Sequence, residues 1–330
     1  MSKGRQASAA LGRRLYHRIW KKAQLFHDPE RLKDWLSWEH RFDEVIDSRE
    51  SGLLHAEAML ASLRDEYTRL LRPEEITQTQ AARTSTESNV ISDIGPNNIG
   101  YVRILNFDRI NTFRDFREAV EKLANTQALI VDLRQNGGGI IDQALKCSQV
   151  LLQKACLMTL HWQAKGGAIK REYYLHGNHM QTLQIWPSGV RRSHRRPRLE
   201  PLVAGKPIAV LIDGGTGSAA ELLAAILRDN ADYFGYICIT IGQPTVAKGI
   251  TQERHKITRT LTLRISVNRY TTPKDVWLGD LGQTVSNPIV PDVLLDFDAV
   301  ASPLASAAEI LLSAIHSSKS HELPHLRAAS

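Results

Sequence analysis

Cysteine, long apolar runs and acidic residues are what this 330-residue sequence is short of. Its three cysteines, Cys147, Cys156 and Cys238, form no C-x-x-C pair. That excludes a disulfide framework and fits a reducing compartment. No apolar run reaches the ~20 residues that span a bilayer. Near the N-terminus, SAALGRRLYHRIWKK is broken by Arg13, Arg14 and Arg18, so no signal-peptide core is read there. A cytoplasmic location is therefore expected. No His, Cys or carboxylate cluster has metal-ligand spacing, and neither metal nor cofactor is expected.

The acidic shortfall leaves a net charge of +7, from 42 Lys and Arg against 35 Asp and Glu. The excess is uneven. Residues 1–40 carry nine basic side chains against four acidic ones, and RRSHRRPR at 191–198 is denser still. An anionic partner at Arg191, Arg192, Arg195, Arg196 and Arg198 is one expectation, and a solvated loop is the plainer one.

Periodicity organises the rest. Leu11, Leu15, Ile19, Ala23 and Phe26 recur at helical spacing with basic residues between them, predicting an amphipathic helix over 11–26. Met59, Leu60, Leu63, Tyr67, Leu70 and Leu71 predict a second helix over 54–71, stopped by Pro73. These stripes suggest a homodimer through the N-terminal helices. The polar run TQTQAARTSTESN reads as a linker. The expected organisation is a helical region over 1–76, a linker over 77–98, a core over 99–316 and a flexible tail over 317–330. Within the core, apolar strands such as ALIVDL and PIAVLI alternate with helices. That pattern predicts an α/β fold, a layered mixed sheet with βαβ crossovers.

Two glycine-rich turns, RQNGGG at 134–139 and DGGTGS at 213–218, each follow a buried strand and open a helix. Such turns present free N–H groups at a positive helix end, where an oxyanion can be held. Ser218 and Glu221 fit the S-x-x-E capping box. The glycines before Ser218 exceed what a cap needs, so a nucleophile stays open beside the capping role. A nucleophilic serine needs a base. No histidine stands in a suitable turn, but Lys248 in TVAKGITQ has an unusually apolar neighbourhood. A buried lysine can lose its proton near neutrality, whereas a solvated one cannot serve. Gln252, four residues on, is suited to accept a hydrogen bond from that amine.

Taken together and in this order, ASLRDEYTRLLRPEE, IGYVRILNF, ALIVDLRQNGGG, TGSAAELLAAILRDN, TVAKGITQ and IVPDV resemble the tail-specific, or C-terminal-processing, serine peptidases over roughly residues 54–315. The resemblance implies a ClpP/crotonase-like protease core and a serine endopeptidase acting on protein or peptide substrates. It implies Ser218 as nucleophile, Lys248 as general base and Gln252 as the residue orienting that lysine. It further implies backbone N–H groups of Ala219 and Gly138 as the oxyanion hole, with Gly137, Gly139 and Gly217 near the substrate. Two departures stand out. Only about two dozen residues separate RLLRPEE from IGYVRI, too few for the PDZ module of relatives, a domain of ~50 residues or more. Ala247 also stands where the family usually has glycine before the lysine. The competing readings are a binding or scaffold protein on the same fold and an acyl-thioester enzyme using Asp142.

Overall fold

The computed structural model describes residues 3–164, 166–281 and 283–322. It opens with α1 (Lys3–Ala23), α2 (Arg49–Ala61), β1 (Arg69–Leu71), α3 (Pro73–Thr84) and β2 (Val90–Gly95). Then follow β3 (Ile99–Ile104), α4 (Thr112–Lys122), β4 (Ala128–Asp132) and α5 (Ile141–Leu151). Four long strands come next: β5 (Ala155–Ala164), β6 (Gly167–Leu175), β7 (His179–Ile185) and β8 (Arg191–Pro197). The chain continues through β9 (Ile208–Ile212), α6 (Ala219–Phe234) and β10 (Cys238–Gly242). It closes with β11 (Ile250–Lys256), β12 (Thr262–Thr271), β13 (Val293–Leu294) and α7 (Pro303–Glu322).

One sheet runs β13-β10-β9-β4-β3-β2 and is parallel except for β2, an antiparallel edge. Its central strands β4 and β9 are buried at every position because both faces are covered. Leu129, Val131, Ile208 and Val210 meet α4, α5 and α6, while Ala128, Ile130, Ala209 and Leu211 meet α7. A second sheet, antiparallel throughout, runs β1-β12-β5-β6-β7-β8 with β11 also paired to β12. The same core that holds α4–α6 includes Leu157, Met158, Leu175 and Met180 of this sheet. Adjacency in the parallel sheet positions the site. β4, β9 and β10 lie side by side and point the same way. The turns that follow them, 133–140, 213–218 and 243–249, therefore emerge together at one edge, at the strands' carboxyl ends.

Several expectations are corrected. The helix expected over 54–71 ends at Ala61, and Leu70 and Leu71 pair instead with Leu263 and Thr262 of β12. Pro73 does not stop that helix but begins α3, at the first helical position where a missing N–H is harmless. The segment expected as a linker holds most of α3 and all of β2. RRSHRRP is no irregular loop but the edge strand β8, in register with β7. Residues 317–322, expected in the tail, continue α7, and the remainder of that tail lies outside the described residues. The apolar stripes do not await a second copy. Leu15, Ile19, Ala23, Phe26, Met59, Leu60 and Leu63 are buried against Leu263, Ile265 and Val267 of β12 in the same chain, which removes the basis for the homodimer. Among the described residues no helix is long and apolar enough to cross a membrane.

The N-terminal region is also fastened to the edge where the turns emerge. Arg31 donates to the carbonyls of Leu63 (2.8 Å) and Arg64 (3.0 Å) and to Gln283 Oε1 (3.0 Å), and pairs with Asp280 at 3.0 Å. Asp280 bridges to Lys248 through the backbone, and Gly249 N–H donates to the neighbouring Gly279 carbonyl at 2.7 Å. With Asp280 3% exposed, removing its partner strands a buried charge. Arg31→Met is expected to lower unfolding free energy by about 3 kcal/mol in urea titrations. A loss under about 0.5 kcal/mol, the surface-substitution range, would show that the clamp is not structural.

Candidate active site

Ser218 ends the DGGTGS turn immediately before α6 with φ 54° and ψ −115°, a backbone conformation that side-chain-bearing residues seldom adopt. The turn is held from several sides. Thr216 Oγ1 donates to the Leu133 carbonyl (2.9 Å), and Gly217 N–H donates to the Asn136 carbonyl (2.9 Å). Ser218 is 7% exposed, and the Ala219 N–H, at the start of α6, stands at the positive helix end.

Glu221 does what S-x-x-E predicts and more. Its Oε2 accepts the Ser218 N–H at 2.7 Å and the Lys248 N–H at 3.0 Å. Its Oε1 accepts the Ala247 N–H at 2.7 Å and the Thr245 hydroxyl at 2.5 Å. One carboxylate oxygen thus holds the backbones of Ser218 and Lys248 within the span of two hydrogen bonds. The side chain is wholly buried, and burial keeps its carboxyl above the ordinary range against those four bonds. Tyr270 is a second fastening: its buried hydroxyl lies 3.0 Å from the Ser218 carbonyl and 2.6 Å from the Lys248 carbonyl.

Lys248 stands half-buried, its ammonium 3.6 Å from the centroid of the Tyr67 ring. Burial, then the nearby Arg264 charge, lower its pKa to about 8, against opposing pulls from Asp65, Glu221 and Asp108. Asp65 sets the Tyr67 platform by accepting the Tyr67 N–H (3.2 Å) and the Thr68 hydroxyl (2.5 Å). Ala247 has φ 69° and is fully buried, the left-handed geometry in which glycine avoids a Cβ clash. Gln252 does not hydrogen-bond the Lys248 amine here. Its amide donates to the Ile250 carbonyl at 3.4 Å beside a register shift in β11.

Asn136 holds the other glycine turn. It donates to the Ile104 carbonyl at 2.8 Å, and its Oδ1 accepts the Gly138 N–H at 2.9 Å. The Gly138 N–H, expected to face an oxyanion, is therefore engaged within its own turn. The Gly138 carbonyl and the Ile140 N–H both bond Phe107, so the intervening Gly139 N–H faces the opposite way. It has no acceptor among the described residues. Gly138 matters through its missing side chain. A Cβ there would lie 2.7 Å from Ser218 Cβ and 2.8 Å from the Ala219 nitrogen.

These parts open on one cleft of about 670 Å³, lined by Gly137, Gly138, Gly139, Ser218, Lys248 and Gln252 among others. Neither Ala219, which is fully buried, nor Gly217 is on its wall. Sequence reasoning missed Tyr67, Asn136 and Tyr270, and read Glu221 as a cap alone. Asp142 lies outside the cleft wall in a 2.6 Å ion pair with Lys146, which removes the thioester base. Arg191, Arg192, Arg195 and Arg196 are exposed on β8. Arg198 is turned inward, donating to the carbonyls of Gln149, Leu152 and Gln153, and so is no anion receptor. Outside the cleft, His17 and His40 meet Asp43 at 3.0 and 2.8 Å, an arrangement that ordinary hydrogen bonds explain.

Known proteins resemble this chain in sequence and in fold. Residues 98–293 match the model of peptidase family S41. The chain is 28% identical over 193 residues to carboxyl-terminal-processing peptidase 2, chloroplastic, of Arabidopsis thaliana, covering 58% of this chain and 32% of that protein. It is 27% identical over 195 residues to the carboxy-terminal processing protease CtpA of Bacillus subtilis, covering 58% and 35% respectively. The match thus spans about a third of the length of these relatives. In three dimensions it is similar to a photosystem II D1 C-terminal processing protease, with TM-score 0.66 at 16% identity over 91% of this chain and 97% of that one. With a family model matched across most of the chain, from β3 to the start of β13, this protein belongs to peptidase family S41.

Proposed function

We propose that this chain is a serine endopeptidase that cleaves protein or peptide substrates through an acyl-enzyme on Ser218. The observation that carries this reading is the shared Glu221 carboxylate oxygen, which ties a strained serine backbone to that of a lysine with lowered pKa in one cleft. In the proposed sequence the Lys248 amine swings off the Tyr67 ring as a neutral base. It takes the Ser218 hydroxyl proton while Oγ adds to the substrate carbonyl. The Ala219 N–H at the head of α6, with an N–H of the 137–139 turn, stabilises the oxyanion. Gly137 and Gly139 are donors of that turn without an acceptor among the described residues, and Gly138 joins them only by leaving Asn136 Oδ1. Lys248 then passes its proton to the departing amine, and water, deprotonated by the same lysine, hydrolyses the ester. Gln252 lines the cleft and is the group proposed to orient the amine once it leaves Tyr67.

The resting place of Lys248 over Tyr67 favours a second reading, a binding or scaffold protein with the machinery disengaged. Cleavage of an unstructured peptide separates the two. Ser218→Ala and Lys248→Ala are each expected to lower kcat/KM by about 10³-fold or more with melting temperature little changed. Equal rates in all three proteins would contradict the hydrolase.

A lysine base must be unprotonated, so activity should rise with pH. The expected kcat/KM profile climbs through an apparent pKa near 8 and levels off above about pH 9. A rate that falls over that interval in folded enzyme would exclude Lys248 as base.

Glu221→Gln keeps the shape but turns an amide NH₂ toward backbone donors. It is expected to lower stability by about 2–3 kcal/mol and to lower kcat at least about tenfold with KM nearly constant. Unchanged kcat would remove the carboxylate from the positioning role.

A further inference from the structure

Three arginines in the cleft of Ser218 and Lys248 have no ionic partner among the described residues. β12 pairs with β1 on one side and β11 on the other, and the register sets Arg69 opposite Arg264 and Arg264 opposite Arg254. Like charges directly opposed across strands repel, yet here they form a row across three strands. Arg69 is neutralised by Glu75 at 2.6 Å. Arg254 and Arg264 form no ion pair among the described residues, and Arg264 Nε donates only to the Tyr67 carbonyl at 2.8 Å. Arg83, on α3, joins them. Its Nε is buried without an acceptor, and its guanidinium makes no ion pair among the described residues. Arg83, Arg254 and Arg264 all line the cleft that holds Ser218 and Lys248, and Asp108 is the one carboxylate on its wall. The cleft is thus built with an excess of forked, two-pronged donors whose geometry matches a carboxylate.

We propose that Arg83, Arg254 and Arg264 form a carboxylate-binding subsite, so that the preferred substrate presents a carboxylate next to the peptide bond to be cut. This rests on the peptidase reading and names its substrate class. A bound carboxylate would relieve the repulsion along the arginine row and give the buried Arg83 Nε its acceptor. The carboxylate has two sources, a free C-terminus or an Asp or Glu side chain. α3, from the stretch that composition marked as a linker, supplies one wall of the subsite.

Three labelled peptides of one neutral sequence test it: an amidated form, a free-acid form, and an amidated form with two glutamates. Their affinity for the Ser218→Ala protein is measured by fluorescence anisotropy, so that binding is read without turnover. The free acid, the glutamate peptide or both are expected to bind about tenfold more tightly than the neutral amide, and which one does so identifies the source. In Arg83→Gln/Arg254→Gln the preference should fall to within about twofold. Nearly equal binding of all three peptides, or a preference that survives the double substitution, overturns the subsite. Because wild-type rates on the same peptides are read separately, tight acid-selective binding without cleavage would sink the peptidase reading and leave the subsite standing.

Discussion

A single buried carboxylate, that of Glu221, is the constraint on which the site depends. It accepts the backbone N–H groups of Ser218, Ala247 and Lys248 and the hydroxyl of Thr245. Three of those donors belong to the turn after β10, and the strained serine lies across the sheet edge at the head of α6. A charge with no exposed surface is tolerated only when its lone pairs are filled, and here the filling brings the two turns together. Tyr270 repeats the link from the carbonyl side. The side chains that would do chemistry are freer than the backbones that carry them: Lys248 rests on Tyr67, and Gln252 bonds its own strand.

The fold makes this economical. Three neighbouring parallel strands deliver three turns to one edge, and the helices behind them are packed by residues that alternate strictly between two cores. The antiparallel sheet adds β11 and β12, and the N-terminal helices reach the lysine loop through the Arg31–Asp280 pair. Between β1 and β3 the chain has α3, β2 and a single 3-10 turn over Pro96–Asn98. There a short helix, α3, brings Arg83 to the cleft wall.

What was legible in the sequence was whatever burial writes into composition. ALIVDL and PIAVLI could only be strands covered on both faces, and S-x-x-E after glycines could only be a tight turn into a helix. What was illegible depends on pairing partners. α3 buries none of its residues and is set by Pro73 and by Glu75 accepting the Arg72 N–H, so it shows no apolar stripe. β8 is exposed at every position and is a strand only because β7 lies beside it. Tyr67 was counted in an apolar helical stripe because its ring is aromatic, whereas its role is to seat an amine. The Gly138 N–H could not be placed from sequence, because the acceptor that engages it is the side chain of Asn136, two residues earlier.

The most direct test is labelling by a fluorophosphonate probe, with the modified peptide mapped by mass spectrometry in the wild-type protein and in Lys248→Ala. The account predicts one adduct, on Ser218, forming faster as pH rises and nearly lost without the lysine. An unmodified Ser218, or one labelled equally fast in the variant, would contradict it.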